Sequence, residues 1–227
     1  MKNKTMVELF SGSKVMSRAF KRVGYDVYTV DNNQDLNPDL VFDILNLEIR
    51  MLPKRFRKPS VLFIGVPCTK FSIAGNQNNF INFMPTNKDS CIALALVYKS
   101  IELINKMLPG SYFIENPMGY LRKFPIMQKF HRVHVWYCQY GDSKAKPTDF
   151  WTNRVDWIGK KCFNDNHHCN HEKAPRGSNN TGTQGIKNAF ERGIYPYLLC
   201  EEIVQVCENK LKIKQLTLKN NLQSYKV

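Results

Sequence analysis

The chain has 227 residues, with 33 Lys plus Arg against 19 Asp plus Glu, a formal charge of +14, and 43% hydrophobic and 12% aromatic residues. A chain of this length and balance buries its own core and needs no disulfide scaffold. Apolar stretches such as Val61 to Val66 are far short of the roughly 20 residues of a membrane span, so no membrane partner is expected.

Seven cysteines and a Met1-Lys2-Asn3-Lys4 opening without an apolar signal segment predict a reducing, cytoplasmic setting. The second half of the chain is the more basic and interleaves Trp136, Tyr140, Trp151 and other aromatics with its lysines. That pattern suits a polyanion, because each neutralised phosphate releases condensed counterions; ordinary surface lysine is the plainer reading.

In chain order, the apolar burst Thr5 to Phe10 reads as a buried strand, followed by Phe10-Ser11-Gly12-Ser13-Lys14 and a helix from Val15 to Val23. Such a turn aims backbone N–H groups and a helix start at a carboxylate or phosphate, although a dinucleotide G-x-G-x-x-G is absent. A second strand, Asp26 to Val30, ends in Asp31-Asn32, about 20 residues beyond the turn, where an acid accepts ribose hydroxyls. Asp31 also reads as an ordinary turn residue. After Val41-Phe42, Asp43-Ile44 suits the border of an adenine or a helix cap.

The third strand, Val61 to Val66, delivers Gly65-Val66-Pro67-Cys68-Thr69-Lys70-Phe71-Ser72. A cysteine in a loop beside Lys70 and backbone amides has the surroundings that lower a thiol pKa and make a nucleophile, whereas most free cysteines are inert core residues. The segment after Ser72, with Gly75 and Asn76-Gln77-Asn78-Asn79, is long enough to close over a site or to be a plain surface loop. A helix spans Cys91 to Met107, and a fourth strand, Ser111 to Glu115, ends in Glu115-Asn116-Pro117. A thiol and a carboxylate thus meet at one sheet edge, a pairing suited to attack on an electron-poor ring. The alternation of strand and helix predicts an α/β fold with a mostly parallel sheet covered by helices on both faces.

From Trp157 to Gly185 periodicity is lost. Cys162, His167, Cys169 and His171 offer enough sulfur and nitrogen donors for tetrahedral zinc, or form a metal-free loop whose cysteines pack inward. Arg176, Thr183 and Gln184 can reach phosphates or base edges. Regular texture returns in a closing helix, Ala189 to Val206, followed from Glu208 by a lysine-rich tail. The expected division is a core over 1–156, an insert over 157–188, and a returning helix and basic tail over 189–227.

Four of these segments together resemble the DNA (cytosine-5) methyltransferase family, in its small phage-like or bacterial form. Phe10-Ser11-Gly12-Ser13 looks like the S-adenosylmethionine loop and Asp31 like the ribose acid. Pro67-Cys68 with Phe71-Ser72 looks like the nucleophile loop, and Glu115-Asn116 like the carboxylate motif for the substrate base. The resemblance covers about residues 5 to 152, and more faintly 176 to 206. It departs at Lys14 and Pro117, where the family commonly has Gly and Val. Gln139-Tyr140-Gly141 with Lys144 or Lys146 stands in for a Gln-x-Arg-x-Arg motif, and Arg192 to Tyr197 occupies the place of the terminal motif.

The resemblance implies a Rossmann-like S-adenosylmethionine-dependent core. Cys68 would add to C6 of cytosine, with Glu115, Asn116 and Lys146 around the base. Phe10, Ser11, Gly12, Ser13, Asp31, Asn32, Asp43, Ile44 and Pro67 would line the cofactor. Ser72, Gln77, Arg176, Thr183 and Gln184 would meet double-stranded DNA, the target base rotated out of the stack, with the enzyme a monomer. A tRNA cytosine-5 methyltransferase and a catalytically silent nucleic-acid binder remain as alternatives. The short insert predicts brief or relaxed recognition.

Overall fold

A computed structural model describes residues 4–72, 79–163, 171–172 and 182–209. Its strands are β1 (Thr5–Leu9), β2 (Asp26–Asp31), β3 (Leu40–Val41), β4 (Val61–Gly65), β5 (Phe80–Ile81), β6 (Met84–Pro85), β7 (Ser111–Pro117), β8 (Arg132–Trp136) and β9 (Pro147–Thr152). The helices are α1 (Val15–Arg22), α2 (Lys88–Met107), α3 (Ala189–Gly193) and α4 (Tyr197–Cys207). Seven strands form one sheet in the order β3-β2-β1-β4-β7-β9-β8, while β5 and β6 pair as a small antiparallel ribbon.

The first five strands of that sheet run parallel, as the strand-helix alternation predicts. The remaining edge is antiparallel, with β9 entering between β7 and β8, so the sheet is mostly parallel as expected. From β1 the chain winds one way to β2 and β3 and the other way to β4 and β7. The crevice beyond the carboxyl ends of β1 and β4 is therefore the switch point, where ligands gather in open α/β sheets. This is the Rossmann-like arrangement.

Side-chain alternation sorts the strands onto two cores. Val7, Leu9, Leu62, Ile64 and Ile114 face α2 and the 3-10 turns between β3 and β4. Met6, Phe63, Phe113 and Phe150 face α1 and α4. Asn87 caps α2 by accepting from the Ser90 N–H at 2.9 Å, and the Ser90 hydroxyl answers the Asn87 N–H at 3.1 Å. This reciprocal cap starts the helix three residues before the expected Cys91. Leu108 ends it in a left-handed conformation just before Pro109-Gly110. The expected closing helix is two, broken at Ile194 to Pro196, because proline has no N–H to continue the ladder. Glu208 is tied back to Lys4 at 3.0 Å, and the lysines expected in the tail lie outside the described residues.

Candidate active site

Asp31 organises the first loop at the switch point. Its carboxylate accepts from the Gly12 N–H on one oxygen and from the Asn33 N–H on the other, both at 3.0 Å, while the Ser11 N–H donates to the Val30 carbonyl at 3.3 Å. The loop after β1 is thus pinned to the end of β2. Its turn needs positive φ at Phe10 (57°), Gly12 (45°) and Lys14 (55°). Lys14, where the family commonly has glycine, holds that left-handed backbone at a steric cost of about 1–2 kcal/mol. Its ammonium bonds the Asn37 carbonyl. The Ser11 hydroxyl is buried without a hydrogen-bond partner among the described residues, so a polar ligand atom has a waiting counterpart there. Ser13 is half-buried and Asn32 exposed. Asp43 caps the 3-10 turn Ile44–Asn46 by accepting from the Leu45 N–H at 3.0 Å, and Ile44 is buried in the core beneath it.

The other side of the crevice follows β4 and β7, whose register pairs Gly65 with Glu115. The Cys68 carbonyl accepts from the Phe71 and Ser72 N–H groups, both at 2.9 Å, turning the loop back on itself. Phe71 then anchors it: its ring is fully buried and stacks on Phe80 at 5.3 Å, and its carbonyl accepts from the Tyr120 N–H at 2.7 Å. Gly119 makes that approach feasible, because a Cβ there would lie 2.3 Å from the Phe71 carbonyl oxygen. Asn116 is fully buried and donates to the Val66 carbonyl at 2.9 Å, which ties the two loops together, and its own side-chain oxygen has no partner among the described residues. Pro67 is exposed, and Ser72 is half-buried.

Glu115 is 5% exposed; one carboxylate oxygen accepts from the Tyr195 hydroxyl at 3.1 Å, and the other has no partner among the described residues. Burial raises its pKa, against the charge of Lys146 and the Tyr195 hydrogen bond. The Cys68 thiol is also pushed up, by burial first and by Glu115 second, against Lys146 and Arg192. The sequence-based expectation of a lowered thiol is corrected here. Lys70 turns away to Asp89 at 3.0 Å, and the cations that favour the thiolate come from far along the chain. Lys146 does reach this site; its ammonium donates to the Arg192 carbonyl at 2.7 Å and lies 4.8 Å from the Tyr137 ring centroid.

Tyr195 is a residue that sequence reasoning missed. Only its place in the Arg192 to Tyr197 segment, just ahead of Pro196 and α4, was a signal. Burial and the neighbouring Glu115 hold its hydroxyl well above the usual tyrosine range, so it stays a donor. A Cβ at Gly65 would meet that hydroxyl at 2.8 Å, so glycine clears the way for the Tyr195–Glu115 contact.

Behind the site, Asp149 of β9 is fully buried and holds the Arg122 guanidinium through both oxygens, at 2.8 and 2.6 Å, with His134 at 2.9 Å. These partners outweigh burial and lower its pKa. Thr183 and Gln184 lie in a 3-10 turn, Gly182–Gly185, ahead of α3. Cys162 is buried with its sulfur 3.8 Å from His171 Nδ1. Gln77, His167, Cys169 and Arg176 lie outside the described residues. Among the described residues no helix is long and apolar enough to cross a membrane.

A family model described as C-5 cytosine-specific DNA methylase matches residues 4–124. The probable DNA (cytosine-5)-methyltransferase of Frog virus 3 (isolate Goorha) is 26% identical over 219 residues, covering 89% of this chain and 99% of that protein. Among solved structures, the Entamoeba histolytica methyltransferase EhMeth aligns with a TM-score of 0.49 and 13% identity, over 77% of this chain and 58% of that one. Spodoptera frugiperda DNMT2 aligns with a TM-score of 0.43 and 18% identity, over 69% and 55%. The chain thus spans little more than half the length of these solved structures.

Proposed function

Because the chain belongs to the C-5 cytosine-specific DNA methylase family, we propose that it methylates C5 of cytosine in double-stranded DNA, with Cys68 as nucleophile and Glu115 as proton donor. The observation that carries the reading is that the Cys68 loop and Glu115 follow adjacent parallel strands and are tied together by the Asn116 amide on the Val66 carbonyl. Burial raises the pKa of both groups, and the charge of Glu115 raises that of Cys68 further. A protonated Glu115 removes the repulsion that opposes the Cys68 thiolate, and the same proton is the one a cytosine N3 requires.

In this mechanism the Cys68 thiolate bonds to C6 while Glu115 protonates N3 and accepts from the exocyclic amine, placing electron density on C5. Lys146 and Arg192 stabilise the thiolate before attack. S-adenosylmethionine, when bound, supplies the electrophilic methyl group. The Ser11 hydroxyl, the Gly12 loop and Asp31 fit the cofactor, with Phe10, Ser13, Asn32, Asp43, Ile44 and Pro67 around them. Loss of the C5 proton and expulsion of Cys68 then restore the ring. C6 is not reachable in a stacked duplex, so the base is extruded at a cost of a few kcal/mol.

The segment 157–188, with Arg176, Thr183 and Gln184, is proposed to read the target, and Ser72 and Gln77 to follow the displaced base. The net charge of +14 supports phosphate contacts. Incubation with a labelled methyl donor and either duplex DNA or tRNA tests the proposal. Label in C5 of DNA cytosine, absent with Cys68→Ala, is expected; label confined to tRNA transfers the chemistry to RNA, and label in neither rejects it.

A further inference from the structure

We propose that Cys138, Cys162 and His171 form a binding site for a zinc-class divalent ion that fastens the insert to the core beside the loop ending in Lys146. The three ligand atoms lie within 4.8 Å of one another, and Cys162 Sγ is 3.8 Å from His171 Nδ1. Zn–S and Zn–N bonds of about 2.3 and 2.0 Å in a tetrahedron place ligand atoms roughly 3.5–3.8 Å apart, so the trio needs to close by about 1 Å. Two thiolates and an imidazole are a soft donor set that favours zinc over magnesium or calcium. The fourth tetrahedral position would be left for water or a further donor.

The set differs from the sequence-based one because Cys138 lies 24 positions before Cys162, outside the insert. It belongs to the 3-10 turn Tyr137–Tyr140 between β8 and β9, and it is 4% exposed.

Ordinary protein contacts bring each donor to the site, so its geometry does not depend on an ion. The Tyr137 N–H donates to the Lys146 carbonyl at 3.1 Å, which closes the loop beyond Cys138. The approach to Cys162 is held along β8: the Trp136 N–H donates to the Lys160 carbonyl at 3.0 Å, and the Lys160 N–H to the Tyr140 hydroxyl at 3.2 Å. Gly159 permits this, since a Cβ there would lie 2.4 Å from the His134 carbonyl oxygen. His171 is delivered by its neighbour Glu172, whose N–H donates to the Ser143 carbonyl at 2.9 Å and whose carboxylate pairs with Lys144. Three separate segments thus converge on one point, and the loop from Ser143 to Lys146 runs from that point to the candidate active site. A bound ion would clamp the reading segment and the Lys146 loop together.

The full chain should be purified without chelator and its metal content measured, then stripped and titrated with Co(II). About one zinc per chain is expected in the wild type, with a more than tenfold loss in Cys138→Ser and in His171→Ala at unchanged circular dichroism. Co(II) should give sulfur-to-metal charge-transfer absorption and the intense visible bands of a tetrahedral site. If the variants fail to fold, the wild-type cobalt spectrum decides. Cobalt absorption without sulfur charge transfer overturns the proposal, as does a folded Cys138→Ser protein that keeps its full zinc.

Discussion

A carboxyl group that must give a proton to a base near neutral pH needs burial to raise its pKa and a partner to aim it. Glu115 has both, the second in the Tyr195 hydroxyl. The Tyr195 hydrogen bond lowers the Glu115 pKa, so Tyr195→Phe should move the limb of the pH-rate profile on which Glu115 loses its proton to higher pH. Losing one hydrogen bond to a charged group should cost about 1.5–3 kcal/mol in transition-state stabilisation, roughly 10- to 150-fold in kcat. A fall in kcat at an unshifted profile would make Tyr195 a packing residue only. Cys68 and Glu115 were legible in the sequence because each follows a short apolar strand with turn residues behind it. Tyr195 was not, since 80 residues separate it from Glu115 and only the return of the chain through Pro196 joins them. Lys70 misled for the opposite reason: two positions from the thiol in sequence, it belongs to the ion pair with Asp89.

At the scale of elements, the Cys68 loop and the Glu115 loop behave as one unit, locked where Phe71 passes over Gly119. The Gly119→Ala Cβ would sit 2.3 Å from a backbone oxygen that cannot rotate away, so one loop must move. Overpacking of this kind costs about 1–3 kcal/mol, or roughly 2–12 °C in Tm for a chain of this size, and it displaces Cys68 as well. Thermal melts and methyl-transfer assays of this variant should both fall. An unchanged Tm with full activity would mean that the two loops are independent. The strands β1, β2, β4 and β7 were readable as apolar bursts buried on both faces. β8 and β9 were not, because Arg132 and His134 alternate with valines to reach the buried Asp149, and Pro147 opens β9. Their polar side chains pair with the buried Asp149 from partly exposed positions, so hydropathy alone reads them as loop.

Across the whole molecule, the pH dependence of stability should carry the mark of Glu8, buried on β1 beneath α1. Burial raises its carboxyl from 4.5 to about 7, against the two bonds it accepts from Ser17. The folded state therefore holds this proton more tightly than the unfolded chain. That stabilisation is complete below about pH 4.5 and is lost as pH rises through about 7. Wild-type stability should fall by on the order of 3 kcal/mol across this window, and denaturant melts of Glu8→Gln should remove most of that slope. Parallel curves for the two proteins would exclude Glu8 as the source.

The same fold brings Cys68, Glu115, Lys146, Arg192 and Tyr195 to one end of the sheet from four separate stretches of chain. Duplex DNA carrying 5-fluorocytosine tests the meaning of that convergence most directly, because fluorine at C5 cannot leave as a proton does and so blocks release of the enzyme. In the presence of S-adenosylmethionine, a denaturation-resistant protein–DNA adduct linked through Cys68, and lost in Cys68→Ala, is the predicted result. An adduct through another residue, or none with a protein that still transfers methyl groups to DNA, would contradict the assignment of Cys68 as nucleophile.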